Sequence, residues 1–271
     1  MFEGNNDLAK VIAYMKAHWP SKVKPEWQVG IEEYPELAKK ALVDFTQGKT
    51  ENRKMVRIAG VSGSGKTTQL LPAAEEYFKV NKMRPVLMAV RRFVEYHPHW
   101  REIKDYYGEE NLRKMTDEFG TIMMFLCLQQ MVKQGYDIIL DVTLLDPEME
   151  GILMGALSDA GYDNMIFMIA AAPEVVEKHL SGRKWRHTKE TEIEFIRATK
   201  HAMRYYADAT PDMRIVLWNV YDKDPVYDGP IGGALEFFDE YSCKTDIPEH
   251  NEEELKAAKI QYITKYYIQG K

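Results

Sequence analysis

Residues 60–68 read GVSGSGKTT. Three glycines, a lysine and two threonines in so short a stretch exceed what a turn requires, and Gly60 through Thr67 satisfy G-x-x-x-x-G-K-[ST]. Glycine lets a backbone come close to phosphate oxygens, and successive backbone N–H groups converging on one point make an anion cradle. In such a loop Lys66 reaches the β- and γ-phosphates and the Thr67 hydroxyl holds Mg²⁺. Ser62, Gly63, Ser64, Gly65 and Thr68 complete the set that would surround the phosphates. The chemistry implied is capture of ATP or GTP as a phosphate donor, with Mg²⁺. A glycine turn carrying a solvated lysine is the alternative. The apolar run "MVRIAG" entering the loop and the helix-like "TTQLLPAAEEYF" leaving it favour the anion site, because a helix N-terminus then faces the same ligand.

A phosphate cradle transfers nothing by itself. Asp141 closes the apolar run "DIIL", and open parallel sheets place ligands at the carboxyl edge of their strands. From there its carboxylate would hold Mg²⁺ or orient an acceptor hydroxyl; a plain strand-end aspartate is the alternative. Asp146 reads instead as the cap of the next helix, with Pro147 in the first helical position. Downstream, "HLSGRKWRHTKETE" (179–192) gathers Arg183, Lys184, Arg186, His187 and Lys189. Closing over phosphates, Arg183 and Arg186 would meet the charge that redistributes during phosphoryl transfer; a solvated charged turn is the bland reading. The histidines show no metal-ligand spacing, so no zinc is expected.

The elements that must position these residues alternate. Short apolar runs "MVRIAGV", "PVLMAV" (85–90), "YDIILDV" (136–142), "MIFMIAA" (165–171) and "RIVLWNV" (214–220) are separated by stretches of helical spacing. That pattern predicts an α/β fold of the P-loop NTPase type, a mostly parallel sheet with helices on both faces. Gly135 and Gly161 fall where helices should end. An N-terminal helical extension (1–50) precedes the core (51–245), with "PELAKKALVDF" placing Leu37, Ala41, Leu42 and Phe45 on one face and the polar "TQGKTENRK" (46–54) as linker. A last helix (246–271) packs on the core, opened by Asn251 with Glu254 three residues on, a capping-box arrangement.

Composition excludes several classes. An apolar content of 45% in 271 residues suffices for a core, and a net charge of -6 offers no general attraction to nucleic acid or anionic lipid. Cys127 and Cys243 are too few for a disulfide scaffold, and Cys127, inside "IMMFLCL", reads as core. No targeting signal or membrane span is visible, so a cytoplasmic protein binding neither nucleic acid nor membrane is expected.

With the phosphate loop, "HP" at 97–98, "QGYDIILDVT" at 134–143, "AAP" at 171–173 and "SGR…RHT" in this order, the chain resembles the zeta toxin family of P-loop kinases over roughly residues 35–230. The late "PDMRIVLWNVYDKDPVYDG" is similar to that family's hairpin near the nucleotide base. The resemblance implies a bacterial kinase, often paired with a small antitoxin that blocks the nucleotide site, phosphorylating the sugar 3'-hydroxyl of UDP-N-acetylglucosamine. It implies phosphate and magnesium roles for Lys66 and Thr67. It sets Asp141 where the family has a glutamate closing its third strand, and Thr143 near the sugar nucleotide. Arg186 falls on one of two phosphate-contacting arginines, and Arg183 or Lys184 on the other.

One departure is large. The family's general base, an aspartate on the loop after the second strand, falls at Arg91, and the next carboxylate is Glu95. Arginine cannot accept a proton at neutral pH. Either Asp141 or Glu95 takes the base role, or the acceptor differs, or transfer is lost and the chain is a nucleotide-binding pseudokinase. Alternatively, Arg91 would serve to attract an acidic or phosphorylated acceptor. Ser62 stands where the family's loop usually has proline, which alters loop stiffness more than chemistry.

Overall fold

A computed structural model describes residues 12–14, 16–17, 20–141, 147–181, 189–246 and 248–268, the side chains of 147–152 excepted. The chain divides into two compact units, Met1–Gly48 with Leu87–Gln134, and Lys49–Val86 with Gly135–Lys271.

The apolar runs form a six-stranded sheet in the order β2-β3-β1-β4-β5-β6. The strands are β1 (Lys54–Ala59), β2 (Val86–Ala89), β3 (Ile138–Asp141), β4 (Asp163–Ala170), β5 (Arg214–Asn219) and β6 (Tyr227–Pro230). β1 pairs in parallel with β3 and β4, and β4 with β5, while β6 returns antiparallel along β5 as the expected late hairpin. Central parallel strands are covered on both faces, which is why β1 is buried throughout after its first residue.

Two polar devices hold this unit together. Arg57 sits fully buried in the middle of β1 and donates to the hydroxyl of Tyr206. Asp137, also fully buried, accepts from Thr50 Oγ1 (2.5 Å), the Asn52 and Lys54 backbone N–H groups (3.1 Å each) and Asn52 Nδ2 (2.7 Å). The polar segment expected to run as a linker is therefore stapled from Thr50 onward to the start of β3. Such a carboxylate satisfies donors that would otherwise be orphaned at a sheet's entry.

The helices of this unit are α2 (Leu71–Val80), α6 (Pro147–Asp159), α7 (Pro173–Leu180), α8 (Lys189–Ala209), α9 (Ala234–Tyr241) and α10 (Glu252–Tyr266). Gly135 and Gly161 take positive φ (83° and 69°) beyond the ends of their helices, as expected. Asn251 caps α10, its side chain accepting from the Glu253 and Glu254 N–H groups. The expected capping box is half formed: the Glu254 carboxylate accepts from Lys223 Nζ (3.0 Å) instead.

The other unit contains α1 (Tyr34–Thr46), α3 (Trp100–Tyr107), α4 (Glu109–Met115), α5 (Asp117–Gln134) and a 3-10 turn, Val90–Tyr96. The buried face of α1 is Tyr34, Ala38, Ala41 and Phe45, rotated from the expected one so that Leu37 and Leu42 are only half buried. Tyr34, outside the motif considered, stacks on Phe119 of α5 (centroids 5.6 Å apart) and draws the helix round. Cys127 is core, and burial pushes its thiol up to about 12. Among the described residues no helix is long and apolar enough to cross a membrane.

His97 of the "HP" pair is 2% exposed, packs against Phe119 (4.7 Å) and accepts the His99 N–H on Nδ1 (3.2 Å). Burial pulls its pKa down to about 4. The unfolded chain binds a proton near pH 6.5 that the folded unit refuses, so His97 favours folding above that pH and the advantage disappears as pH falls toward 4.

Two stability predictions follow from these buried groups. Asp137→Ala should cost about 3 kcal/mol in urea denaturation, because buried donors are left unpaired, and Asp137→Asn less; a change below about 0.5 kcal/mol would remove the staple from the account. His97→Gln should flatten the acid limb of stability between pH 6.5 and 4, worth about 3 kcal/mol at most. An unchanged limb would show that other groups drive it.

Candidate functional site

β1 ends at Ala59 and delivers the chain into the glycine loop at the carboxyl edge of the sheet. Gly60 takes φ 138°, and a Cβ there would stand 2.8 Å from the backbone oxygen of Ile169 on β4. Gly65 takes φ 97° and starts a π turn, Lys66–Leu70, that continues as α2. The loop therefore coils at the N-terminal end of a helix whose first N–H groups point back toward it, the arrangement that concentrates partial positive charge for an anion. Ser64 lies buried within the loop, Ser62 is half buried, and Thr67 and Thr68 are exposed.

Lys66 folds back on this loop. Its ammonium donates to the carbonyls of Gly60 (2.6 Å) and Val61 (3.0 Å), at the mouth of the turn. Those carbonyls hold the cation beside the cradle and are weaker partners than a phosphate oxygen, since bonds between ions are the stronger class.

The loop is buttressed from behind by two residues that sequence reasoning did not single out. His179, in the last turn of α7, meets the Gly63 carbonyl with Nδ1 (3.0 Å), and its Nε2 meets the Tyr221 hydroxyl (2.9 Å). A carbonyl can only accept, so Nδ1 donates to Gly63 and the ring spans from the loop to the Tyr221 hydroxyl as a strut. Leu180 closes the same side, 2.9 Å from where a Cβ on Gly63 would be.

Asp141 ends β3 beside Ile58 of β1, two residues before Gly60, so the sheet register brings this carboxylate to the edge where the loop begins. Thr143, Arg183 and Arg186 lie outside the described residues, as do Lys184, His187 and the Asp146 cap. Arg91 and Glu95 belong to the other unit. They lie on the 3-10 turn after β2 and line a cavity of about 600 Å³ with Arg92, Arg113 and the ion pair of Lys104 with Glu109, over the aromatic rings of Phe45, Tyr96 and Trp100. Arg92 is fixed there by its stack on Phe45 (4.1 Å) and its bond to the Leu87 carbonyl (2.6 Å).

A further carboxylate emerges. Glu192, in the first turn of α8, is 1% exposed, and neither of its oxygens has a hydrogen-bond partner. Burial pushes its pKa up to about 7, opposed by the charge of Lys66. Its signal in the sequence is spacing: Glu192, Thr199 and Tyr206 recur every seven residues and all lie on the buried face of α8. A glutamate at a core position of a helical repeat is the exception that a periodicity reading can find.

Comparison with known proteins agrees with this architecture. The solved structure of the PezAT chromosomal toxin-antitoxin system of Streptococcus pneumoniae superposes with a TM-score of 0.65 over 88% of this chain and 98% of the other, at 20% identity. A complex of AvrRxo1-ORF1 and AvrRxo1-ORF2 with ATP superposes at 0.53 over 99% and 95%, at 12% identity. Both are likenesses of fold. In sequence the chain is 25% identical over 145 residues to Toxin PezT of Streptococcus pneumoniae, covering 53% of this chain and 55% of that protein, so it spans about half the length of that curated relative. The zeta toxin family model matches residues 39–226, from the middle of α1 through β5, and the chain belongs to the zeta toxin family.

Proposed function

We propose that this chain is a small-molecule kinase that transfers the γ-phosphate of ATP or GTP to a hydroxyl of a sugar nucleotide such as UDP-N-acetylglucosamine. Members of the zeta toxin family are phosphotransferases, and the observation that carries the reading here is the glycine loop at the sheet edge with Lys66 poised on its carbonyls. Arriving phosphates would draw Lys66 off Gly60 and Val61, and the loop N–H groups would take the remaining oxygens. Gly60, Ser62, Gly63, Ser64, Gly65, Thr67 and Thr68 form the rest of that cradle.

Mg²⁺ fits the residues present. The exposed Thr67 hydroxyl and the Asp141 carboxylate are hard oxygen donors, the class that holds this ion together with substrate phosphates. When bound, the ion would neutralise charge developing on the transferred group. The cation-rich cavity with Arg91 suits an acceptor that carries phosphates of its own, as a sugar nucleotide does, and its aromatic floor suits a base or sugar face. Arg183, Arg186 and Thr143 retain the roles implied by the family, contact with the transferred phosphate and with the sugar nucleotide. A small antitoxin protein that covers the nucleotide loop is the expected partner, in keeping with the toxin-antitoxin complex formed by the PezAT relative.

The second reading is a nucleotide-dependent binding protein without turnover. Arg91, at the position of the family's base and among further cations, is the observation in its favour.

Phosphorus magnetic resonance of the protein with nucleotide, Mg²⁺ and a panel of nucleotide sugars decides between them. The kinase reading predicts a new phosphomonoester signal with at least one acceptor; nucleotide binding with no new signal supports the second reading. Asp141→Asn should lower kcat by roughly 10²-fold or more while weakening Mg-nucleotide binding less than tenfold, as expected for a group whose interaction strengthens in the transition state. Equal losses in both would make Asp141 a binding residue only.

A further inference from the structure

We propose that Lys259, a buried lysine of the C-terminal helix α10, is a positioning residue that sets the conformation of the glycine loop. The inference rests on the nucleotide-binding part of the reading above, and a continuous series of contacts carries it. Lys259 is fully buried and donates from Nζ to the Asp222 carbonyl (2.9 Å), on the turn that follows β5. That turn is closed on itself. The Asp222 N–H donates to the Asn219 carbonyl (3.2 Å), and the Tyr221 N–H donates to Asn219 Oδ1 (3.1 Å). From the same turn the Tyr221 hydroxyl meets His179 Nε2 (2.9 Å), and His179 Nδ1 donates to the Gly63 carbonyl (3.0 Å). In a planar trans peptide the carbonyl and the next N–H point in opposite directions. Holding the Gly63 carbonyl outward therefore turns the Ser64 N–H inward, where it donates to the Val61 carbonyl (3.2 Å). The Val61 carbonyl is one of the two that hold Lys66. The series runs from α10 to the cation of the cradle, and all its members belong to the sheet unit.

A lysine is a costly residue for this position. Burying an ammonium carries a desolvation penalty, and burial here pulls the Lys259 pKa down to about 8, opposed by the charge of Asp222. Among the described residues no ion pair neutralises it; a backbone carbonyl holds it. An apolar side chain would fill the same space without the penalty, so what the lysine supplies is a directed bond to one turn. The docking of α10 does not depend on that bond. Tyr262 and Tyr267 donate to Asp228 of β6 (2.8 and 2.7 Å), and Asn81 Nδ2, just past α2, donates to the Tyr267 carbonyl (3.1 Å). The helix also packs along α2 and the π turn Lys66–Leu70. Lys259 lies beyond residues 39–226, so this anchor of the loop comes from a helix that the family model does not reach.

The test uses the full chain beside Lys259→Met, Lys259→Arg, Tyr221→Phe and the double variant Lys259→Met with Tyr221→Phe. The readouts are the thermal midpoint, amide hydrogen exchange of residues 60–66 without ligand, and affinity for Mg-ATP and Mg-GTP. Lys259→Met should keep or raise the midpoint, speed loop exchange, and weaken nucleotide binding by roughly 3- to 30-fold, the range over which a residue remote from a ligand modulates its site. Lys259→Arg, which keeps the charge and its donors, should recover most of the affinity. Tyr221→Phe interrupts the series at its middle and should resemble Lys259→Met. The double variant should lose no more than the larger single loss, because both substitutions act through the same contacts. Unchanged loop exchange and affinity in Lys259→Met, losses that add in the double variant, or a midpoint that falls together with the affinity would overturn the proposal. If the unsubstituted chain binds neither nucleotide, the nucleotide reading fails and loop exchange decides alone: faster exchange in Lys259→Met and Tyr221→Phe upholds the positioning role, and unchanged exchange overturns it. Absence of phosphate transfer bears on the kinase reading only, because every readout here precedes chemistry.

Discussion

The proposed transfer depends on one exchangeable cation. The Lys66 ammonium has to be held close to the glycine loop without a ligand and surrendered to phosphate when one arrives. Two backbone carbonyls at 2.6 and 3.0 Å do the holding. Carbonyl dipoles are sufficient to localise an ammonium and weak enough to lose it to an oxyanion.

Around this cation the rest of the sheet unit acts as a frame. The His179–Tyr221 pair fixes the loop carbonyl of Gly63, Asp137 fixes the entry to β1, and the Arg57–Tyr206 bond ties α8 to the sheet. Each is a polar contact between groups distant in sequence and buried enough to be directional. Hydrophobic packing alone would tolerate the loop drifting by an ångström, whereas phosphoryl transfer relies on positioning above all. The helical unit rests instead on aromatic stacks around α5 and holds a cavity lined by four cations and two carboxylates.

What could be read from the sequence was what is local. The phosphate loop carries its chemistry in eight contiguous residues, and all five apolar runs became strands because a buried parallel strand needs only an unbroken apolar stretch. What escaped depends on partners far along the chain. The polar segment after α1 looked like a linker because Asp137, its acceptor, is 87 positions beyond Thr50. The His179–Tyr221 strut joins residues 42 apart, and Glu254 left its capping box for a lysine on another loop. Glu192 is easily passed over within a run of charges, although it shares the seven-residue spacing of Thr199 and Tyr206 on the buried face of α8; what a local reading does not supply is Tyr206 meeting Arg57.

The most direct measurement is the affinity of Lys66→Ala for Mg-ATP and Mg-GTP by titration calorimetry beside the unsubstituted chain. Removing a charge-assisted contact to phosphate should weaken at least one nucleotide by roughly 10- to 100-fold, equivalent to about 1.5–3 kcal/mol. Affinities unchanged for both nucleotides would contradict the claim that this loop grips a triphosphate, and with it the reading of the site.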